Sequence, residues 1–289
     1  MDSVGLAIAF AAFVWWFSTG AILVLVRMPR AHHRMAMAGA AGLALLCLWG
    51  LWATRGNMTP AGALAGFTYG IVIWGFLETS FLLGHVTGPR RAPQSDGARG
   101  LRRFREAFDA LSHHELAILA VGILLIALTA GAGNQVGTWT FLCLWAMRIS
   151  AKLNLFFGAP NVSVEFLPAH LSYLGSYFRR DGVSLFFPLS VSLASLAFGA
   201  LAHAASVAPT PFETIALTLI AAMLGLAILE HWFLVLPLPD AALWRWALRS
   251  EGPPTGRPGG QTTSPGPAAN DPAPAPLGAV AMARPNRRP

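Results

Sequence analysis

The chain has 289 residues, of which 55% are hydrophobic and only 11% charged, and its mean hydropathy is +0.54. Soluble domains carry about 25% charged residues, so the composition excludes a soluble globular enzyme, a disordered regulator and a fibrous protein. Two cysteines exclude a disulfide-rich scaffold. The net charge is +7, but the basic residues lie between apolar segments, which indicates membrane topology rather than nucleic-acid binding.

Seven apolar segments are long enough to cross a bilayer, which requires about 20 residues per helix. In chain order these segments cover residues 3–26, 35–53, 61–84, 114–132, 136–158, 183–207 and 212–236. The first segment follows Met1, Asp2 and Ser3 without a basic region, so we interpret it as a retained span rather than a signal peptide. The sequence therefore predicts an all-α transmembrane bundle over residues 1–250.

The arginines in the connections orient the predicted bundle. The loops after the first, third and fifth spans and the C-terminal segment together hold 17 arginines, whereas the opposite side holds only Arg55. Short cytoplasmic loops carry an excess of Lys and Arg. We therefore expect the N-terminus outside and the C-terminus in the cytoplasm.

Three segments outside the spans have recognisable patterns. Residues 101–111 have apolar residues at helical spacing opposite arginines, which is typical of an interfacial helix. Residues 167–180 place Pro168 at a plausible first helical position and also predict a surface-lying segment. Residues 251–289 are rich in Pro, Gly and Ala and predict a disordered cytoplasmic tail.

The third span carries Gly62, Gly66 and Gly70 at four-residue spacing. Small residues on one helix face allow the backbones of two membrane helices to approach closely. Packing within the bundle is the first interpretation of this stripe, and an interface between copies of the chain is the second.

Charged residues inside the spans are costly to insert and indicate a functional or paired site. Glu78, Lys152 and Glu230 each lie six residues before the arginine-rich end of their span. All three are therefore expected at the same depth, about 9 Å inside the membrane from that end. Arg148 precedes Lys152 by one turn and Asn154 follows it. The sequence predicts that these residues form a paired polar layer inside the membrane.

Five histidines lie in the same half of the predicted bundle and are candidates for binding a cofactor. They are His85, His113, His114, His170 and His231. Three interpretations follow: a structural ion-pair network, a pocket for a ligand or tetrapyrrole, and the site of a metal-dependent membrane oxidase. The spans have no HxxxH or ExxH pair, and there is no P-loop or GxSxG motif, so we assign no catalytic residue and no metal ligand set. A transporter is disfavoured because no two halves of the chain look alike.

The chain resembles a known family in two blocks. The first combines LETSFLLGHVTGPRRAP (77–93) with RRFREAF (102–108) and HHELA (113–117). The second and more distinctive block is WAMRISAKLNLFFGAPNVSVEFLPAHLSYLGSYFRR (145–180). Both are similar to the PuhE family, photosynthetic complex assembly proteins of purple and related phototrophic bacteria.

The resemblance implies a multi-pass inner-membrane protein, or one of the intracytoplasmic photosynthetic membrane, that is encoded among photosynthesis genes. It implies a role in assembly of the reaction centre and core antenna, with assembly proteins as partners and a bacteriochlorophyll or its precursor as the ligand to consider. The second block adds a polar segment on the cytoplasmic side, with Asn161, Glu165, Arg179 and Arg180 as candidates. The alternative is a metal-dependent enzyme of bacteriochlorophyll or other tetrapyrrole metabolism.

Overall fold

Seven long helices account for most of the chain, in the order that the sequence predicts. A computed structural model describes residues 3–162, 167–237 and 240–248. The long helices are α1 (Ser3–Arg27), α2 (Arg30–Thr54), α3 (Pro60–Leu82), α4 (Gly100–Thr129), α5 (Val136–Phe157), α6 (Phe186–Ser206) and α7 (Pro211–Phe233). The described residues contain no strand, and all seven helices are long and apolar enough to cross a membrane. The all-α class and the seven spans are therefore confirmed.

Helices α3 and α7 form the centre of the bundle. In each, 50% of the most apolar stretch is buried inside the protein, against 17–22% in the other five helices. Helix α1 packs against both, and their shared core includes Phe67, Ile71, Leu219 and Met223. The outer helices therefore turn most of their apolar surface towards lipid, as a membrane bundle requires.

Loops 55–59, 130–135 and 207–210 lie at one end of the bundle, which we call the arginine-poor end. Two of these loops end in a threonine that is followed by a proline, the first residue of the next helix. The hydroxyl of Thr59 accepts a hydrogen bond from the backbone of Gly62 at 3.1 Å, and Thr210 accepts one from Glu213 at 3.2 Å. Each threonine thus caps a helix whose first residue is proline, an arrangement that suits the unpaired donors of a helix start.

The opposite end, which we call the arginine-rich end, holds connections 28–29, 83–99 and 158–185 and the segment after α7. Here the structure corrects one prediction, because residues 101–111 and the predicted fourth span, up to Thr129, belong to a single helix, α4. Thirty residues give α4 a length of about 45 Å, whereas the membrane core is about 30 Å thick. Its first turns therefore extend the fourth span towards the arginine-rich surface.

A 3-10 helix at Ala169–Tyr177 closes the arginine-rich end. Pro168 lies just before this helix rather than at its first position. Leu171, Leu174 and Tyr177 are buried against Phe81 of α3 and against α4. The predicted surface-lying segment therefore has one face packed into the end of the bundle, because its apolar residues recur every three residues, the period of a 3-10 helix.

After α7 the chain returns along α1. A second 3-10 helix, Asp240–Trp244, leads into a short helix, α8 (Arg245–Leu248). Trp244 and Ala247 are buried against Leu23 of α1, so this segment covers the second half of α1. The predicted tail, residues 251–289, lies outside the described residues.

Candidate functional site

A buried ion pair joins α3 to α5 near the arginine-rich end. The Arg148 Nη2 atom donates a hydrogen bond to Glu78 Oε2 at 2.7 Å. The Glu78 side chain is 8% exposed, whereas that of Arg148 is 41% exposed. The carboxylate is thus enclosed by protein, and its charge depends on the guanidinium, since a buried charge without a partner is strongly destabilising.

His114 of α4 lies on the other side of the Glu78 carboxylate. Its Nε2 atom is 3.8 Å from Glu78 Oε1, the side chain is 1% exposed, and its ring packs on Phe81 with 4.5 Å between centroids. Neither ring nitrogen of His114 nor Glu78 Oε1 has a hydrogen-bond partner among the described residues. The His114 ring nitrogens and Glu78 Oε1 are therefore free of hydrogen bonds to the described residues and could exchange a proton.

One turn beyond Arg148 along α5, Lys152 pairs with α4. Its Nζ atom donates to Glu115 Oε1 at 2.5 Å, and the two side chains are 21% and 19% exposed. Lys152 is predicted to lie level with Glu78, but the cation reaches Glu115, in the middle of α4, because α5 packs beside α4. We call Glu78, His114, Glu115, Arg148 and Lys152 the buried polar cluster.

Glu230 differs from the predicted pairing. Its carboxylate accepts a hydrogen bond from the Trp15 indole at 2.7 Å. Arg148 attracts Glu230 electrostatically, yet in the described part of the chain no cation lies within ion-pair distance of it. Helix α7 packs along α1, so this carboxylate meets the Trp15 indole. The indole is the partner that the sequence argument missed, because α1 and α7 are distant along the chain.

Neutral hydrogen bonds connect α5 to its remaining neighbours. His231 Nδ1 lies 2.8 Å from the Ala227 carbonyl, which only accepts, so Nδ1 carries the proton and Nε2 accepts from the Ser150 hydroxyl at 2.9 Å. Asn154 is fully buried and donates to Ser190 of α6 at 3.1 Å. These two residues therefore attach α5 to α7 and α6.

The five predicted histidines do not form one site. His114 and His231 are buried in different contacts, whereas His85, His113 and His170 are exposed at the arginine-rich end. Partial burial lowers the pKa of the His170 imidazole below its ordinary value, so this ring is mainly neutral near pH 7. Among the residues that the structure describes, no three His, Cys, Asp or Glu side chains converge as a metal site would require.

A set of contacts that the sequence did not indicate fixes the connection 83–99. Arg90 Nε donates to the Tyr177 hydroxyl at 2.8 Å, and that hydroxyl donates to the Ala92 carbonyl at 2.9 Å. Arg103 Nη2 donates to the carbonyls of Phe156 and Tyr177 at 2.9 and 2.8 Å. Arg90 and Arg103 thus join segments of the chain that are 53–87 residues apart in sequence.

Glu106 of α4 also holds this connection. We call the connection 83–99, together with Arg90, Arg103, Glu106 and Tyr177, the capping structure. Its Oε2 atom accepts a hydrogen bond from the Ser95 backbone at 2.9 Å and lies 3.4 Å from Arg90, while Oε1 accepts from Arg102 at 3.2 Å. Only the Arg102–Glu106 pair has a spacing that a sequence reveals, since residues four apart are neighbours on a helix.

The predicted polar segment of the second block is held mainly through its backbone. The Asn161 N–H donates to the Leu234 carbonyl at 3.0 Å, and the Arg179 N–H donates to the Leu155 carbonyl at 2.9 Å. Arg179 also pairs with Asp181 at 3.5 Å. Arg180 is exposed, and Glu165 lies outside the described residues.

Comparison with known proteins assigns the chain to a family. Residues 1–255 match the model described as "Protein of unknown function (DUF3623)". The chain belongs to this family. It is 38% identical over 242 residues to the "Uncharacterized 30.4 kDa protein in puhA 5'region" of Rhodobacter capsulatus, covering 82% of this chain and 88% of that protein. No solved structure matches the chain.

The glycines of α3 give this DUF3623 chain a close backbone contact between two long helices. A Cβ atom on Gly70 would lie 2.5 Å from the carbonyl oxygen of Gly137 in α5, and one on Gly66 would lie 3.4 Å from the Gly137 nitrogen. Gly62 lies against Asn57, in the loop before α3. The stripe therefore packs within the bundle, with its close approach in the arginine-poor half.

Proposed function

We propose that this chain is an assembly or regulatory factor for the bacterial photosynthetic reaction centre and core antenna, acting on partner proteins or on bacteriochlorophyll supply. The observation that carries the proposal is the relative from Rhodobacter capsulatus, which covers most of the chain and is named for the puhA 5′ region. The resemblance to PuhE proteins supports the same assignment.

We also propose that the protein resides in the inner membrane or the intracytoplasmic photosynthetic membrane, with the arginine-rich end in the cytoplasm. The distribution of arginines supports this orientation. Partners and pigment intermediates would then meet the protein at a surface that carries exposed His85, His113, Arg91 and Arg180.

The geometry of the arginine-rich end favours a binding role. The charged groups of the buried polar cluster pair mainly with each other, and Arg90, Arg103 and Glu106 hold connections in place. These contacts build an ordered surface from segments that are far apart in sequence. A preformed surface reduces the ordering cost of binding a partner.

A deletion strain tests the proposal. We expect membranes without this protein to contain less reaction centre and core antenna, measured by absorbance, or an altered set of pigments, measured by mass spectrometry of extracts. The wild-type gene should restore both. Normal complexes together with normal pigments in the deletion strain would contradict the proposal.

Surface variants locate the role at one end of the bundle. Arg91→Ala combined with Arg180→Ala should leave the amount of protein unchanged and fail to restore the complexes. Arg55→Ala is the matched control, because it removes an arginine at the arginine-poor end. Full restoration by the double variant would contradict a role for these surface arginines.

An enzyme of tetrapyrrole metabolism is the second candidate, and one observation favours it. His114 and Glu78 form a buried imidazole–carboxylate contact whose facing atoms have no hydrogen-bond partner. These atoms therefore remain available to exchange a proton, as general acid–base catalysis requires. Under this hypothesis, His114→Gln should accumulate to normal levels and cause one pigment intermediate to build up. Under the assembly hypothesis, His114→Gln leaves the pigments unchanged.

A further inference from the structure

A groove of about 450 Å³ opens between α1, α6 and α7 in the arginine-poor half of the bundle. Both α1 and α6 pack against α7, which forms the floor of the groove. The walls carry small apolar side chains, including Ala12 of α1, Ala202 of α6 and Ala221 of α7. The volume lies within the range of ligand sites, about 300–1,000 Å³.

The groove runs from the arginine-poor surface towards mid-membrane. Ser206 and Val4 lie at the ends of α6 and α1 that reach the arginine-poor surface. Phe198 and Gly225 lie at the inner end, where a Cβ atom on Gly225 would come within 3.2 Å of the Phe198 ring. The missing side chain of Gly225 therefore lets the Phe198 ring approach α7 at the inner end of the groove.

The three walls have the same length. Lining residues span 4–12 in α1, 198–206 in α6 and 218–226 in α7, and eight helical steps rise about 12 Å. One leaflet of the hydrocarbon core is about 15 Å thick, half of about 30 Å. The walls from α1 and α6 begin at the arginine-poor ends of these helices and reach nearly one leaflet deep, to Ala12 and Phe198. This length suits the apolar part of a single acyl chain.

We propose that this groove binds one acyl chain of a membrane lipid from the leaflet at the arginine-poor end. The chain lies between α1 and α6 with its terminal methyl group against Phe198, and its headgroup remains at the surface near Ser206. The groove is lined mainly by apolar side chains along the length of the acyl chain. The acyl chain therefore exchanges its contacts with neighbouring lipids for van der Waals contacts with fixed protein side chains. This site is separate from the buried polar cluster at the other end of the bundle.

Photocrosslinking of the full chain tests the proposal. The protein is placed in nanodiscs of phosphatidylcholine and phosphatidylglycerol that contain phosphatidylcholine with a diazirine on its sn-2 chain. We expect label in peptides covering 198–206 and 218–226, well above the label on the exposed face of α2. Equal labelling of α2 would overturn the proposal.

Matched variants make the test specific to the groove. Ala202→Leu fills the groove from α6, whereas Ala200→Leu adds the same atoms to an exposed position that does not line it. Ala202→Leu should reduce groove labelling severalfold, and Ala200→Leu should leave it unchanged. Ser206→Leu, at the exposed mouth, provides a second test that does not depend on the folding of Ala202→Leu. Unchanged labelling in both Ala202→Leu and Ser206→Leu would overturn the proposal.

A competition arm identifies the kind of chain. In nanodiscs whose bulk lipid is phosphatidylglycerol alone, added phosphatidylcholine with ordinary acyl chains should lower the groove label relative to the α2 label, and the same amount of the isoprenoid alcohol phytol should not. Displacement by phytol alone would overturn the assignment to an acyl chain.

Discussion

The two ends of the bundle are held together by different interactions. At the arginine-rich end, ion pairs such as Glu78–Arg148 and long-range hydrogen bonds such as Arg90–Tyr177 join helices and connections. In the arginine-poor half, the backbones of α3 and α5 meet at Gly70 and Gly137, and threonine caps begin two of the helices. One half therefore depends on charge and the other on close contact.

This difference shows in which half of the bundle the protein retains charged side chains that are costly to place in a membrane. Packing through glycine needs no charge. In the arginine-poor half it joins α3 to α5, the same two helices that the Glu78–Arg148 pair joins in the other half. Intramembrane charges cost about 2.5–3.5 kcal/mol each on insertion scales, yet Glu78, Arg148 and Lys152 all lie in the other half. We therefore test for function in the arginine-rich half, the polar half, and for helix packing in the arginine-poor half, the apolar half.

Removing Arg148 should have the largest effect. Arg148→Leu leaves the enclosed Glu78 carboxylate without its cation, which costs about 3–5 kcal/mol for a buried pair. We expect little protein to accumulate in membranes and a clearly lower melting temperature for what is purified. Immunoblots and fluorescence-detected size-exclusion chromatography after heating measure the two effects.

The double variant separates charge from packing at this pair. Glu78→Leu should be milder than Arg148→Leu, because the Arg148 side chain is 41% exposed and is long enough to turn its charge towards the polar surface of the membrane. Combining the two substitutions should restore part of the stability that Arg148→Leu loses, since no unpaired charge remains. Purely additive losses would show that the pair contributes no coupling.

The next largest effect tests the apolar half. Gly70→Ala places a Cβ atom 2.5 Å from the Gly137 carbonyl oxygen, which belongs to rigid backbone, so α3 and α5 must move apart at a cost of about 3 kcal/mol. Gly75→Ala is the control on the same helix, because its Cβ would make an ordinary 3.5 Å contact with Ile22. Equal melting temperatures for the two variants would mean that the glycine contact does not hold this half.

The sequence predicts the helices better than it predicts their partners. Hydropathy is local, so the spans emerge directly. Two helix starts are misplaced: α2 begins at Arg30, five residues before the predicted span, and the polar turns before residue 114 belong to the same long helix, α4. Depth counting places Glu78 and Lys152 at one level, but which cation meets which carboxylate depends on how the helices rotate and which ones are neighbours. Lys152 thus pairs with Glu115, and Glu230 with Trp15.

A smaller effect is expected from the capping structure of the polar half. Tyr177→Phe removes the hydroxyl that joins Arg90 to the Ala92 carbonyl, which we expect to cost about 1.5 kcal/mol. Hydrogen exchange of peptides from 83–99 should become faster while the spans stay protected. Tyr173→Phe is the control, because the Tyr173 hydroxyl makes neither of these hydrogen bonds. Equal exchange rates in the two variants would show that the Tyr177 hydroxyl does not hold the connection 83–99 in place.

The smallest predicted effect concerns Glu230, the carboxylate that lies in the polar half but has no cation within ion-pair distance among the described residues. Trp15→Phe removes the indole N–H that donates to it at 2.7 Å and keeps an aromatic ring at that position. Interhelical hydrogen bonds in membranes contribute about 0.6 kcal/mol on average and rarely more than about 1.7, so the melting temperature should fall only slightly. Trp16→Phe is the matched control, because its indole donates to the Leu243 carbonyl instead. A loss from Trp15→Phe as large as that from Arg148→Leu would show that Glu230 is as dependent on its partner as Glu78 is, and the polar half would then contain a second essential carboxylate.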